Sequence, residues 1–178
     1  LPMNTRLARL YGARHHGTPP GFSPASFTGQ KRAGLLTHPY LLMLYSYHNS
    51  TSPIHRGVFV TRHLLGRSLK PPPEAVVFKN EEFPANLTMR EKVTQLTKAD
   101  ACMTCHSIIN PLGFSLEQFD SIGRRRDTEK GKPIRTASDY LTADGSPIHI
   151  SGPSDLAHHA MQNPSTHEGF VEMLFNQV

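Results

Sequence analysis

The chain lacks tryptophan, has only two cysteines among its 178 residues, and contains no long hydrophobic run. Two cysteines confined to one motif exclude the disulfide framework typical of small secreted domains. No stretch approaches the roughly 18 consecutive apolar residues of a membrane-spanning helix. Hydrophobic residues make up only 37% of the chain, and 15 prolines and 13 glycines accompany them. This composition predicts a small core and much irregular chain.

Both cysteines lie in the stretch ACMTCHSIINPLGF, where Cys102, Cys105 and His106 form a C-x-x-C-H motif. A redox dithiol, half of a tetrahedral zinc site and a c-type haem attachment site all use a C-x-x-C pair. In a haem c site the two sulfurs form thioethers with the porphyrin, and the adjoining histidine binds the iron. On a helix, Cys102 and Cys105 reach one edge of a flat ring, and the neutral imidazole of His106 lies below its centre.

The zinc and dithiol interpretations each need a feature that is hard to find in the sequence. Zinc needs two further ligands, and the adjacent His158 and His159 would not easily face one metal ion. A thioredoxin-like dithiol needs a strand before the motif, and TQLTKADA does not have a strand pattern. We therefore favour covalent haem c as the cofactor, with zinc and dithiol as alternatives.

The surroundings of the iron are less clearly encoded than the attachment motif. Carbonyl groups of the INPLG turn, which Pro111 would make rigid, are the nearest acceptors for the second nitrogen of His106. For the sixth iron ligand we favour His167, with Met161 as the alternative. Met173, a residue of the first half or an open position are further options. A methionine ligand would raise the reduction potential, and an open position would permit peroxide chemistry.

The net charge is +5, and six basic residues lie in the stretch from Gly123 to Arg135. Such a run is usually a solvated loop, which we favour over a docking surface for an acidic redox partner. The run lacks interleaved aromatic residues, which argues against nucleic-acid binding. No Ser-His-Asp set, paired carboxylates or glycine-rich phosphate loop is evident.

Capping residues and hydrophobic spacing predict a mainly α fold. Residues 1–84 are interpreted as a helical segment, the tail of an upstream domain plus a cap, and residues 85–178 as a cytochrome c-like haem domain packed beneath it. Pro71–Pro73 would form an extended polyproline boundary. A hairpin is expected around the DG turn within residues 131–153. Helices are predicted over 4–14, 37–49, 52–66, 86–106, 115–124, 151–163 and 165–178, with a loop from the motif to residue 114.

Several segments resemble the planctomycete-type cytochrome c family. The block CMTCHSIINPLGFSLEQFDSIGRRR is similar to its haem-binding block. The stretches GLLTHPYLL, TSPIHRGVFVTRHLLG followed by PPP, and GKPI…DG…GPSDLA occur there in the same order. The resemblance extends from about Thr5 to Val178. The chain departs from the family in extent, because it starts late and stops at LFNQV.

The resemblance implies covalent haem c on Cys102 and Cys105 with His106 as axial ligand, in large exported proteins without an established substrate. We therefore expect a periplasmic electron-transfer domain within a larger protein or complex. A peroxidase-type haem enzyme and a structural haem subunit are the alternatives. Leu1 follows neither an initiator methionine nor a signal peptide, so we expect a processed piece of a longer chain.

Overall fold

The computed structural model describes residues 2–18, 21–29, 32–70, 79 and 82–175. Its α-helices are α1 Thr5–Tyr11, α2 Pro39–Leu44, α3 Pro53–Phe59, α4 Met89–Leu96, α5 Asp100–Phe114, α6 Pro153–Gln162 and α7 Pro164–Phe175. A 3₁₀ turn, Gly34–Thr37, precedes α2, and a π-helical turn, Val60–Leu64, continues α3. The strands are β1 Pro2–Met3, β2 Arg14–His15, β3 Ser23–Ser26, β4 Thr128–Glu129, β5 Lys132–Pro133, β6 Ser138–Leu141 and β7 Pro147–Ile150.

The strands form three small antiparallel sheets. The first has the order β1-β3-β2, so β3 pairs with both of the earlier strands. The other two are the hairpins β4-β5 and β6-β7. The predicted DG hairpin is confirmed, since Asp144 and Gly145 lie in the turn between β6 and β7, and Gly145 has a φ of 84°.

The prediction of a mainly α, cytochrome c-like fold is wrong. About 47% of the described residues are helical and 15% are strand, and no haem-protein fold is evident in the arrangement. Residues 1–84 are not a purely helical segment, because they contain the three-stranded sheet. Residues 15–30, which look like a loop by composition, supply its central strand Ser23–Ser26. Backbone pairing with distant strands, which composition does not encode, overrides the local preference.

Side chains cap the beginning of both α1 and α3, and the sequence predicts the cap at Ser52. The side chain of Asn4 accepts a hydrogen bond from the Leu7 amide at 2.9 Å, and that of Ser52 accepts one from the His55 amide at 3.3 Å. Pro53 occupies the first turn of α3, where its missing N–H costs nothing. These helices begin where the sequence places them because their caps are formed by neighbouring residues.

The helix pair α3 and α5 packs unusually closely. A Cβ atom at Gly57 would overlap the carbonyl oxygen of Ile109, and one at Gly113 would overlap the carbonyl oxygen of Pro53. The two contacts run in opposite chain directions, so α3 and α5 are antiparallel. The predicted helix over residues 52–66 would have Ile54, Val58, Leu64 and Leu65 as its apolar face, and this expectation is wrong in part. Only Leu65 is buried, whereas Arg56, Gly57, Val60 and Thr61 form the rest of the inner face.

Arg56 joins α3 to the segment after α5. Its guanidinium, which is fully buried, donates to the carbonyls of Phe119 and Asp120 at 2.8 Å and to those of Leu116 and Leu42 at 3.2 Å. Nη1 also lies 3.5 Å from Oε1 of the buried Glu117. Burial lowers the pKa of Arg56 to about 10, so the group remains charged at neutral pH. Burial raises the pKa of Glu117, and the neighbouring Arg56 opposes that shift.

The main core takes side chains from both predicted segments. Leu42, Val60 and Leu65 pack with Leu112 and Leu116 and with other residues of the second half. The predicted boundary at residue 84 nevertheless stays a prediction, and the polyproline segment Pro71–Pro73 lies outside the described residues. Within the described residues, no helix is both long and apolar enough to cross a membrane.

The basic run is largely paired with carboxylates of the same chain. Arg124 contacts Asp120 and Arg125 contacts Asp127, each at 2.7 Å. Arg126 contacts Glu117 at 3.2 Å and Glu129 at 3.4 Å. Lys132 lies 2.8 Å from Glu91. These pairs hold the segment between α5 and β5 against the body of the protein.

Candidate functional site

The C-x-x-C-H motif lies in the first two turns of α5, between Asp100 and Phe114. The sequence predicts one helix over residues 86–106 ending at the motif, but the structure has two helices that separate at Thr97–Ala99. The first of them, α4, begins with a capping box in which Thr88 and Glu91 satisfy each other's backbone amides. The motif therefore lies at the beginning of a helix and not at its end.

The predicted loop from residue 107 to residue 114 is also wrong, because α5 continues through Pro111 to Phe114. A proline inside a helix usually costs about 3 kcal/mol, since one hydrogen bond is lost. Here the carbonyl group of Ser107 loses its helical hydrogen bond, because Pro111 has no N–H to donate. Ser107 is exposed, so water can bind its carbonyl instead. The last turn is held by burial of Leu112, Gly113 and Phe114. Packing therefore outweighs the local effect of the proline.

The cysteines of the motif and the residues that contact α3 lie on the same face of α5. Ile109 and Gly113 face α3, and the helical repeat places Cys105 and Cys102 on the same stripe, nearer to the beginning of α5. The π-helical turn that continues α3 also packs against α5. Cys102, Cys105 and His106 are all half-buried, and both thiols are free. The close helix packing thus fixes the backbone on which the motif is presented.

The ring of His106 is held by a buried chain of hydrogen bonds. Its Nδ1 lies 2.9 Å from Oδ1 of Asn110, which is one turn further along α5. The Nδ2 group of Asn110 donates to Oγ1 of Thr97 at 2.9 Å. Thr97 in turn donates to the carbonyl of Val93 at 2.8 Å. Within the described part of the chain, Nε2 of His106 makes no hydrogen bond, so it remains available as a ligand.

Pro111 does not have its predicted role as part of a rigid turn next to His106. The partner of the second ring nitrogen is the side chain of Asn110, not a carbonyl group of an INPLG turn. Because α5 is continuous, the backbone carbonyls around residue 110 belong to the helix. A side chain at i+4 is the group that a helix places next to a histidine.

The expected sixth ligands lie on helices other than the one that carries the motif. His167, on α7, and Met161, at the end of α6, both have exposed side chains. The main packing partners of α6 are β7, α7 and the 3₁₀ turn, and those of α7 are α6 and the π-helical turn. The side chain of Met173 lies outside the described residues. The choice among these ligands remains a prediction.

Two surface grooves lie away from the motif. One of about 930 Å³ lies beside α4 and the β4-β5 hairpin, and one of about 400 Å³ lies between the 3₁₀ turn and α6. Met161 lines the smaller groove, whereas Cys102, Cys105 and His106 line neither. Neither of these grooves therefore contributes to the chemistry of the motif, which rests on its three side chains and the groups that support them.

A search of known families matches the chain over residues 32–129, which is more than half of its length and includes the motif. The matching family is PSCyt3, described as proteins of unknown function (DUF1588). This chain belongs to the PSCyt3 family. The name associates the family with planctomycete-type cytochromes c, in agreement with the resemblance seen in the sequence. No curated protein and no solved structure matches the chain.

The residues of this PSCyt3 chain fit a covalent haem at the motif. The two free thiols lie three positions apart on one helix, and the histidine that follows has its Nδ1 engaged and its Nε2 available. Within the described residues, no group of three or more His, Cys, Asp or Glu side chains is arranged as a metal-ion site, and zinc stays an alternative. A donor set of one imidazole and two thiols matches the requirements of haem c attachment.

Sequence reasoning missed Asn110 and Thr97. The separation of four residues between His106 and Asn110 is a usable signal only if the helix is known to continue past Ile108. The predicted loop concealed it. Thr97 gives no such signal, because its contact with Asn110 depends on how the α4–α5 connection folds back over the helix.

Proposed function

We propose that this PSCyt3 chain carries one haem c, attached through Cys102 and Cys105, with His106 as axial iron ligand, and that it transfers single electrons. The observation that carries the proposal is the motif on one face of α5, with Nδ1 of His106 bonded to Asn110. That bond orients the ring and leaves Nε2 as the free donor atom. When bound, the haem iron supplies the one-electron chemistry by alternating between its ferric and ferrous states.

The chain's own residues have three tasks in this function. Cys102 and Cys105 would hold one edge of the haem, because a helix keeps residues three positions apart on one face. His106 would supply Nε2 as a ligand of the iron. The packing of α3 on α5 through Gly57 and Gly113 keeps the helix in place.

For the sixth ligand we keep the prediction of His167, with Met161 as the alternative. Both side chains are exposed, so neither has to leave a packed position in order to bind. His167→Ala should give either a high-spin, cyanide-reactive iron or a methionine-ligated iron of higher potential. An unchanged spectrum and potential would reject His167 and favour Met161. A cyanide-reactive iron in the unmodified protein would instead support the peroxidase-type alternative.

We further propose that the protein functions after export, in the periplasm. Thioether attachment in bacteria takes place outside the cytoplasm, as the family resemblance implies. The electron would pass to or from a separate redox partner protein, or within a larger complex of which this chain is a part. Cell fractionation tests the location, since haem-bearing protein confined to the cytoplasm would contradict it.

Covalent attachment can be tested directly on the full chain expressed with haem-attachment machinery in an oxidising compartment. On a denaturing gel, a band at about the 19.8 kDa chain mass should stain for haem. The double variant Cys102→Ser/Cys105→Ser should lose the stain. Thr104→Ala is the matched control, since it changes an exposed residue between the cysteines and retains the motif. An unstained band for the unmodified chain would refute the proposal.

His106→Ala tests the axial ligand separately from attachment. The variant should retain its haem stain, because both thioethers remain, but it should lose the low-spin absorption spectrum. A normal low-spin spectrum in His106→Ala would show that another residue ligates the iron.

A further inference from the structure

The hydrogen-bond chain behind His106 is almost completely buried. Asn110 is 7% exposed and Thr97 is 3% exposed. Buried polar groups are costly unless each is satisfied, so the directions of these bonds are strongly constrained. The chain runs from His106 through Asn110 and Thr97 to the carbonyl of Val93.

The donor and the acceptor in each of these hydrogen bonds can be assigned by starting from the Val93 carbonyl. The Val93 carbonyl can only accept, so the hydroxyl of Thr97 uses its one hydrogen there. Oγ1 of Thr97 can then only accept from its other neighbour, which assigns the NH₂ end of Asn110 to that side. Oδ1 of Asn110 consequently points at His106, and as an acceptor it requires a proton on Nδ1.

This order of bonds selects one tautomer of neutral His106. With the proton on Nδ1, the lone pair is on Nε2, which is the form that can bind a metal. We propose that Asn110, held by Thr97, is a positioning residue that fixes this tautomer and tunes the strength of His106 as an iron ligand. The proposal rests on the proposed function, because it concerns the haem iron.

The strength of the acceptor should control the reduction potential. A carboxylate at position 110 would draw the Nδ1 proton more strongly, make His106 a better donor and favour ferric iron. An apolar side chain would leave Nδ1 without a partner and weaken the ligand. Changes next to a metal ligand commonly alter metal affinity about 10–100-fold. A tenfold change in the ratio of ferric to ferrous affinity corresponds to about 59 mV for a one-electron couple.

The test compares Asn110→Asp, Asn110→Leu and Thr97→Val with the unmodified protein, all as the full haem-bearing chain. Ser115→Ala is the matched control, because Ser115 is also buried and bonded within the α5 region, at 2.6 Å to the Leu112 carbonyl. Asn110→Asp should lower the potential and Asn110→Leu should raise it. Thr97→Val should raise the reduction potential by less, because this substitution only frees the side-chain amide of Asn110 to rotate. Ser115→Ala should lose stability without a shift in potential.

A second measurement follows the Nδ1 proton itself. In the reduced protein this proton should give an NMR signal that exchanges slowly with solvent, and Asn110→Leu should remove that protection. The signal can be sought whether or not haem is attached. If Asn110→Leu does not fold, Thr97→Val and Asn110→Asp supply the comparison.

Two results would overturn the inference while the proposed function stands. One is a haem-stained Asn110→Asp protein whose potential and Nδ1 exchange equal those of the unmodified chain. The other is a Ser115→Ala protein whose potential shifts as far as that of Asn110→Leu, which would indicate a general effect of lost stability. If the unmodified chain carries no haem stain, the proposed function fails, and this inference fails with it.

Discussion

The Gly57→Ala substitution should destabilise the protein, although helix propensity alone predicts the opposite. Gly57 lies inside α3, where alanine is favoured over glycine by about 1 kcal/mol. The added Cβ would overlap the carbonyl oxygen of Ile109 and would lie 2.9 Å from its Cγ2 atom. Because that oxygen belongs to the backbone of α5, the overlap is relieved only if α3 and α5 move apart.

The size of the effect follows from two opposing contributions. Adding a methyl group to a packed interior typically costs about 1–3 kcal/mol, and we take the upper end because backbone atoms cannot change rotamer. Subtracting about 1 kcal/mol of helix propensity leaves a loss of about 2 kcal/mol in the free energy of unfolding. For a protein of this length, that loss corresponds to a decrease of about 4–8 °C in Tm.

Urea unfolding followed by circular dichroism measures this change. Gly21→Ala is the matched control, because no heavy atom lies within 4 Å of a Cβ at Gly21. Its free energy of unfolding should stay within about 1 kcal/mol of that of the unmodified protein. A Gly57→Ala protein as stable as the unmodified one would refute the close packing of α3 on α5, and with it our account of how the motif is positioned.

Three further predictions concern the supporting network. Arg56→Met should lower the free energy of unfolding by about 3–5 kcal/mol, because Glu117 would remain as a buried, poorly compensated carboxylate. A urea midpoint within error of the unmodified value would contradict this. Thr88→Ala should cost about 1 kcal/mol in thermal unfolding, since the capping box of α4 is lost, and an unchanged Tm would show that the box contributes nothing. The hydrogen bond from Lys132 lowers the pKa of Glu91 to about 2 from its unfolded value of 4.5. The stabilisation is therefore complete above about pH 4.5 and is lost as the pH falls towards 2. Lys132→Met should reduce this acid-dependent loss in urea titrations between pH 6 and pH 2. Equal pH profiles for both proteins would argue against the pair.

Much of the local structure could be predicted from neighbouring residues. Ser52 caps α3 as expected, and the Asp144–Gly145 turn joins the predicted hairpin. In each case the stabilising group lies within a few residues of the backbone it satisfies. The same holds for the C-x-x-C-H motif, because its spacing is a property of the chain and does not depend on the fold.

The fold class could not be predicted in this way. Short strands such as Pro2–Met3 and Arg14–His15 have no alternating pattern of their own, and they exist because Ser23–Ser26 lies between them. Strand pairing between segments that are distant in sequence depends on the whole chain. Because local patterns do not encode this strand pairing, the sequence predicts more helix than the structure contains.

The amino-acid sequence alone identified Cys102, Cys105 and His106 as the candidate groups for binding a cofactor. Only the tertiary structure decided that α5 passes through Pro111 and thereby brings Asn110 next to His106. The reason is energetic, since burial of Leu112 and Phe114 and the close packing of α3 offset the hydrogen bond lost at the proline. The balance between this packing and the lost hydrogen bond depends on residues that are far apart in the sequence. A local sequence pattern therefore cannot predict it.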